Sequence, residues 1–280
     1  MADAVARKRR RFNFRESLCI PFALFMLLFV IVPLLTIGYC AFTDANGKFY
    51  VDSWRTIFIS PEKWKVIGTT FLVAFFTTLI CVLIAYPIAF ILSNKKFNKN
   101  KVLVYIFLLP MWVNFVVRTL ALKDMVNWLT STLFNFQLTS QYPLVGVIVG
   151  MVYDYLPFAI LPLYNQMLKM DKNQIEAAAD LGTNPVSVCF KVIVPMTVPG
   201  IVSACTMTFM PTMSSYVIAY HMGGGKISII GTEIETYINT FHDYNSGSVL
   251  ALVMLLIIGL SVLFENFINR KDETRKGGIW

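Results

Sequence analysis

The stretch from Val66 to Asn94, VIGTTFLVAFFTTLICVLIAYPIAFILSN, contains no charged side chain. A helix needs about 20 residues to cross the ~30 Å hydrocarbon core of a bilayer, and this stretch is longer than that. Its apolar residues do not alternate with polar ones, as they would in a strand of a transmembrane barrel. Backbone groups in lipid must be hydrogen-bonded within their own helix or around a closed barrel. The stretch therefore predicts a transmembrane helix at about 66–93.

Five further stretches of the chain have the same character. Three of them contain the uncharged runs 17–43, 192–225 and 244–264, and two are interrupted by a single charge, Arg118 or Asp154. They predict helices at about 18–42, 102–122, 143–164, 199–220 and 247–268. The composition agrees, because only 14% of the 280 residues are charged, about half the fraction usual in soluble domains. The 23 Phe and 12 Tyr residues exclude a disordered chain. The predicted fold class is an all-α integral membrane protein with six transmembrane helices.

The basic residues predict the orientation in the membrane, because Lys and Arg accumulate on the cytoplasmic side. With a cytoplasmic N-terminus, the cytoplasmic segments hold 17 Lys and Arg residues and the opposite side holds seven. We therefore expect a basic cytoplasmic tail at 1–16, a membrane domain at 17–269 and a cytoplasmic C-terminal tail at 270–280. The net charge of +8 is then a topology signal that faces anionic lipid, and no nucleic-acid partner is expected. The first span is too long for a signal-peptide core, so we expect an uncleaved helix.

Motifs for nucleotide, metal or thiol chemistry are missing from the sequence. It has no G-x-x-x-x-G-K-[ST] loop and no H-E-x-x-H, and its five cysteines form no C-x-x-C pair. We therefore expect no catalytic residue, no metal and no cofactor in this chain. The loop 221–244 is interpreted as a solvated outer loop whose acidic residues face a binding partner or attract cations.

The longest predicted cytoplasmic connection contains 171–195, DKNQIEAAADLGTNPVSVCFKVIVP. Asp171 is a plausible N-cap for a helix at about 172–181, and Gly182 suits the left-handed position that follows a helix. Asn184 and Pro185 favour the start of a second helix, which we expect Pro195 to end. The segment therefore predicts an amphipathic helical hairpin. It either packs on the protein's own spans or docks a cytoplasmic subunit.

The hairpin resembles the signature E-A-A-x-x-x-G-x9-I-x-L-P of the permeases of ATP-binding-cassette importers with the type I transmembrane fold. The matching residues are Glu176, Ala177, Ala178, Gly182 and Pro195, with valines at the Ile and Leu positions. The resemblance extends over most of the chain and is closest to the spermidine/putrescine permeases of the first-subunit type. The segments that carry it are 109–112 with 117–119, 153–158 with 161–164, and 222–226 with 230–231.

This resemblance implies a permease subunit of the bacterial cytoplasmic membrane that works by alternating access. A cytoplasmic ATPase dimer, which would hold ATP and Mg²⁺, is expected to dock on the hairpin through the five signature residues. A second permease subunit and an external substrate-binding protein are the other expected partners. Six spans supply only half of a translocation path, which also favours an obligate partner.

Polar and aromatic residues within the spans are the candidates for the substrate path. Charged groups inside a membrane are costly and line a cavity or pair with one another, and aromatic faces attract ammonium groups. The candidates are Asp154, Arg118, Trp112, Tyr153, Tyr155 and Tyr216. Two alternatives stay open, because Asp154 either lines the path or pairs with Arg118, and the aromatic residues either line the path or pack.

Other functions stay open at this point. A permease of the same fold for an amino acid, a sugar or iron would share the hairpin. A secondary transporter would act without a docking hairpin and would show inverted repeats, which the sequence does not clearly contain. A purely structural scaffold is disfavoured by the hairpin.

Overall fold

The computed structural model of the chain describes residues 19–44, 47–94 and 102–276. Within these ranges the protein is helical, apart from one β-bridge between Thr43 and Phe49. The predicted basic tail at 1–16 and the lysine-rich connection at 95–101 lie outside the described residues.

The helices are numbered here in chain order. Helix α1 comprises Cys19–Met26, a π-helical turn at Leu27–Ile31 and Val32–Ala41; α2 is Asp52–Ile59; α3 is Pro61–Ser93; α4 is Val102–Leu108 with a 3-10 turn at Leu109–Trp112; α5 is Phe115–Phe134; and α6 is Leu138–Gln141. Helix α7 is Pro143–Leu168; α8 is Lys172–Asp180; α9 comprises Pro185–Val188, a π-helical turn at Cys189–Ile193 and Val194–Ser214; α10 is Val217–Met222; α11 is Ile230–Glu235 with a π-helical turn at Thr236–Thr240; and α12 is Tyr244–Lys276.

Five helices of the described chain are long and apolar enough to cross a membrane. They are Ile20–Ala41, Pro61–Ser93, Pro143–Leu168, Pro185–Ser214 and Tyr244–Leu263. A sixth span is formed if the bent pair α4 and α5 is counted as one. The prediction of an all-helical protein with six spans is therefore confirmed in its element types and their order.

The core lies where α3, α7 and α9 pack against one another. Small residues make this approach possible, which is typical of helix contacts in membranes. A Cβ atom on Gly200 would lie 2.6 Å from the Cβ of Gln166. The alanines Ala85, Ala89 and Ala159 are fully buried in the same core. Helix α7 is the centre of this arrangement, so residues on it are held in fixed positions.

Helix α1 lies apart from this core and packs against α12. Its outer end is held by polar contacts as well as by apolar burial. Asn245 donates to the carbonyl oxygens of Cys40 at 2.8 Å and Thr43 at 2.9 Å. Trp54 of α2 donates to the carbonyl oxygen of Ala41 at 3.0 Å. These contacts tie α1, α2 and α12 into one unit at this end of the bundle.

The third span departs from its prediction, which was a continuous helix at 102–122. The helix ends at Trp112, restarts at Phe115 after a bend of 95° and continues to Phe134. Pro110 cannot donate a backbone hydrogen bond. Asn114 caps the new helix, because its side chain accepts from the N–H groups of Val116 at 3.0 Å and Val117 at 3.3 Å. The break therefore follows from local sequence that the hydrophobicity pattern conceals.

The prediction that Pro195 ends the second hairpin helix is wrong, because α9 runs without interruption from Pro185 to Ser214. The π-helical turn before Pro195 shifts the backbone register, and the N–H of Val194 donates to the carbonyl of Cys189. Proline lacks the N–H that this shift would otherwise leave without a regular acceptor. The predicted fifth span at 199–220 therefore starts too late, and it also ends too late, because the helix ends at Ser214 and Ser215 has an extended backbone.

Helix α12 continues from the sixth span through to Lys276, so residues 270–276 of the expected C-terminal tail are helical.

Candidate functional site

The first helix of the hairpin, α8, has the ends that the sequence predicts. The side chain of Asp171 accepts from the N–H of Asn173 at 3.0 Å. After the helix, the N–H of Gly182 donates to the carbonyl of Ala179 at 2.9 Å and that of Thr183 donates to Ala178 at 3.4 Å. This pair of bonds is a Schellman motif, which requires a left-handed residue. Gly182 supplies it with a φ of +72°.

The second helix of the hairpin also starts as predicted. The side chain of Asn184 accepts from the N–H of Val186 at 3.0 Å, and Pro185 occupies the first turn. The two helices are thus joined by a short connection whose conformation is fixed at both ends by caps.

The signature residues lie mainly on the surface of this hairpin. Glu176, Ala177, Gly182 and Pro195 are exposed, and Ala178 is half-buried. A Cβ atom on Gly182 would meet nothing within 4 Å, so its backbone conformation and not its packing requires glycine. Four of the five residues are therefore accessible at the surface of this chain.

Exposed apolar side chains accompany them. Leu181 is 85% exposed, and Phe190 and Val186 are also exposed, whereas Val188 and Ile193 of the same helix are buried. The apolar surface of α9 is thus divided between the protein's own core and an unpartnered face. Leu181 was missed by sequence reasoning, although its position just before the turn glycine is the signal that would have identified it.

A cavity of about 450 Å³ lies between the hairpin and the end of α3, with Tyr86, Phe90 and Ile175 among its lining residues. Below the cavity, the hydroxyl groups of Tyr86 and Thr197 are hydrogen-bonded at 3.0 Å.

In the middle of the membrane domain, Asp154 and Arg118 form an ion pair, with Nε and Oδ1 2.5 Å apart. Asp154 is fully buried and Arg118 is 9% exposed. The hydroxyl of Thr119 lies 3.0 Å from Oδ2 of Asp154. Of the two alternatives for Asp154, the structure therefore favours pairing, and this carboxylate is not open to a substrate path.

Arg118 also stabilises the break in the third span. Its Nη1 donates to the carbonyl of Pro110, at 2.7 Å, on the other side of the bend. One guanidinium group thus connects α4, α5 and α7. A buried charge is expensive unless it is paired and hydrogen-bonded, and these contacts meet that condition.

The aromatic candidates do not form a single cluster. The ring of Tyr153 lies 5.8 Å from the guanidinium of Arg118 and is 41% exposed. Tyr155 is buried and donates to the carbonyl of Pro211 at 3.2 Å, so it packs inside the bundle. Trp112 is 85% exposed at the bend, and Tyr216 is exposed at the break after α9. The structure thus unites Asp154, Arg118 and Tyr153 and leaves the other three at separate places.

The segment 217–235 differs from the solvated loop that the sequence predicts. Ile218, Met222, Ile229 and Ile230 are fully buried. Met222 packs closely against α7 because residue 150 is a glycine. A Cβ atom at Gly150 would lie 2.8 Å from Cγ of Met222. The N–H of Ile230 donates to the hydroxyl of a threonine of α3, at 2.9 Å. We refer to residues 217–235 as the outer segment, and the apolar residues on both sides of its glycine run are the signal that sequence reasoning passed over.

Among the described residues, no group of three His, Cys, Asp or Glu side chains is arranged to hold a metal ion. Apolar spanning helices, with an exposed capped hairpin between the fourth and fifth of them, define a multi-pass membrane protein. The class that fits this arrangement is the membrane component of a transport system.

Comparison with known proteins identifies the family. Residues 82–271 match the family described as "Binding-protein-dependent transport system inner membrane component", and the chain belongs to this family. Similar curated relatives include the "Spermidine/putrescine transport system permease protein PotB" of Haemophilus influenzae, which is 30% identical over 267 residues and covers 89% of this chain and 93% of the relative. The protein of the same name from Escherichia coli is 28% identical over 268 residues, with 89% and 96% covered.

The fold is shared with solved permease structures. A chain of a bacterial ABC transporter involved in the import of the acidic polysaccharide alginate superposes with a TM-score of 0.72. It is 15% identical, and the match covers 92% of this chain and 95% of that one. The likeness concerns the fold alone, and it agrees with the predicted ABC transporter permease architecture.

Proposed function

We propose that this chain is the membrane subunit of an ATP-driven importer of polyamines such as spermidine and putrescine. The observation that carries the proposal is the similarity, over nearly the full length of both chains, to permeases that are named for spermidine and putrescine. The hairpin with its exposed signature residues supports coupling to an ATPase.

The partners follow from this role. A cytoplasmic ATPase dimer holds ATP and Mg²⁺ and docks on Glu176, Ala177, Ala178, Gly182 and Pro195. The exposed Leu181 and Phe190 give this interface an apolar contribution. A second permease subunit completes the path, and a substrate-binding protein docks on the other side. With the hairpin on the cytoplasmic side, both termini are also cytoplasmic.

The continuous helix α9 supplies a mechanical connection. It is about 45 Å long over its 30 residues, and it includes both the second hairpin helix and the fifth span. A displacement of the hairpin by the ATPase therefore moves the break at Ser214 and Ser215. Gln166 of α7 donates to the carbonyl of Met196 at 3.0 Å, beside the close contact at Gly200, and we infer that α9 pivots there.

The proposed substrate path uses exposed aromatic faces. Tyr153, Trp112 and Tyr216 are available to an ammonium chain, whereas Tyr155 is a packing residue. Asp154 and Arg118 neutralise each other, so Arg118 presents no uncompensated positive charge to a cationic substrate. Their role is to stabilise the bend of the third span between Trp112 and Phe115.

Uptake by the reconstituted complex tests the proposal. Proteoliposomes that contain the ATPase, both permease subunits and the binding protein should accumulate labelled spermidine and putrescine only with ATP inside. Uptake of an amino acid, a sugar or iron without any uptake of polyamine would contradict the proposed substrate. Uptake by the two permease subunits without the ATPase would contradict the proposed energy source.

A further inference from the structure

An ammonium group is already bound at the outer end of the bundle. Lys63, in the first turn of α3, places its Nζ 2.5 Å from Oε2 of Glu233. The same Nζ lies 4.7 Å from the centre of the Tyr237 ring. A carboxylate and an aromatic face on one ammonium group are the two partners that such a cation binds best.

The position of this group is unusual for a simple surface ion pair. The side chains of Lys63 and Glu233 are only 16% and 19% exposed, so the pair is sheltered but still reachable from the surface. Exposed pairs contribute little because water and salt screen them, and a sheltered pair is screened less. The carboxylate therefore retains a strong preference for a cation.

The backbone around Glu233 is firmly held, so the carboxylate keeps its position without Lys63. Helix α11 starts at Ile230, whose N–H is bonded to Thr70 at 2.9 Å. The hydroxyl of Thr232 accepts from the N–H of Ile229 at 2.9 Å. These bonds do not involve Lys63, and they fix the first turn of α11, in which Glu233 lies.

We propose that Glu233 and the ring of Tyr237 form an external binding site for a primary ammonium group, which Lys63 occupies in this structure and which a terminal ammonium of a polyamine takes from it. The proposal rests on the proposed function for its substrate. The chemistry matches closely, because a lysine side chain is a four-carbon chain that ends in an ammonium group and putrescine is a four-carbon chain with one at each end. Lys63 is thus a tethered competitor for the site.

Exchange of the two cations has a structural consequence. The Lys63–Glu233 pair joins α3 to α11, and α11 in turn contacts the end of α9 at Gly231. When a polyamine takes the site, this side-chain link between α3 and α11 is lost. The bond from the N–H of Ile230 to Thr70 then remains as the polar contact between these two helices, so the outer segment resists movement with α9 less than before. Because the opposite end of α9 is the hairpin, loading on one side of the membrane is connected to the hairpin on the other.

Alkylation of a Lys63→Cys variant tests the site directly. In the assembled complex without binding protein, the thiol at this position is reacted with N-ethylmaleimide, a neutral reagent, and the rate of the parent complex is subtracted. Putrescine should slow the reaction several-fold by filling the vacated site, whereas 1,4-butanediol, which has the same length but no charge, should not. Equal rates with the two compounds would overturn the proposal.

Matched variants separate the two partners of the ammonium group. Protection by putrescine should disappear when Glu233→Gln or Tyr237→Leu is added to Lys63→Cys. Protection that survives Glu233→Gln would contradict the assignment. These outcomes measure binding alone, so they are independent of polyamine uptake by the wild-type complex, which tests the proposed function.

A second variant gives a readout that does not depend on labelling. Lys63→Met retains an unbranched side chain and removes the tethered competitor. In the absence of binding protein, putrescine should change ATP hydrolysis by this complex at a lower concentration than it does for the wild type. An unchanged concentration dependence would count against displacement of Lys63.

Discussion

The hairpin and the outer segment lie at opposite ends of α9, and they are stabilised in different ways. The hairpin is specified by local caps at Asp171, Gly182 and Asn184, and its face is exposed. The outer segment is specified by contacts with residues far away in the sequence, and it is buried. Changes in the hairpin should therefore alter coupling with little effect on stability, whereas changes around the outer segment should alter assembly.

The largest effect is expected for the Arg118–Asp154 ion pair, which lies beside the bend between α4 and α5. Arg118→Met leaves the fully buried Asp154 without its ion-pair partner, which costs about 3–5 kcal/mol when a buried pair is broken. The variant should lose most of its folded complex, as measured by thermal unfolding in detergent. Adding Asp154→Asn removes the unpaired charge and should recover most of the stability. If Arg118→Met alone were as stable as the double variant, the ion pair would not be what stabilises this bend.

A smaller effect is expected where the outer segment meets α9. In Gly231→Ala, the new Cβ atom would lie 2.9 Å from the backbone oxygen of Ser214, which cannot move aside as a side chain does. Overpacking of this kind costs about 1–3 kcal/mol. The melting temperature of the complex should fall.

Gly68→Ala is the matched control, because no atom lies within 4 Å of the position of its Cβ. Alanine is preferred to glycine in a helix by about 1 kcal/mol, so the control should be as stable as the wild type or more stable. Equal losses in both variants would show that close contact at Gly231 is not the cause.

Substitutions of Gly182 in the hairpin turn should act only through the backbone conformation, because a Cβ atom there would meet nothing within 4 Å. Gly182→Ala forces a side chain into a φ of +72°, which costs roughly 1–2 kcal/mol. Gly182→Asn adopts this conformation more easily and should cost less. Hydrogen exchange at the N–H groups of the turn should rise in the alanine variant and change less in the asparagine variant. The opposite order would contradict the left-handed turn.

The smallest effect on stability is expected at Leu181, which is 85% exposed. Leu181→Ser should leave the melting temperature of the isolated permease subunits unchanged, since little apolar area is uncovered. It should weaken their binding to the ATPase, which a pull-down at varied salt concentration measures. Normal binding together with lower stability would place Leu181 in the protein's own core instead.

The same contrast explains how much could be predicted from the sequence. The caps of the hairpin depend on residues two or three positions apart, so Asp171, Gly182 and Asn184 are recognisable in the sequence and match the structure. The six spans follow from the absence of charge.

Features that depend on distant contacts were beyond the sequence pattern. The burial of the outer segment depends on Gly150 and Thr70 from other helices. One local feature was also missed: a proline ends most helices, but the π-helical turn before Pro195 keeps this helix continuous. The pairing of Asp154 with Arg118 was one of two open alternatives, because a sequence does not give the distance between two helices.

The most direct test of the central claim, that the hairpin couples an ATPase to this permease, uses a residue that is exposed and lies outside the protein's own core. Glu176 lies on the surface of α8. ATP hydrolysis and spermidine uptake should be measured together in proteoliposomes of the complete complex, with wild type and Glu176→Lys compared. The account predicts an assembled variant complex that transports far fewer polyamine molecules for each ATP hydrolysed. A variant with the wild-type ratio and the wild-type uptake rate would contradict it.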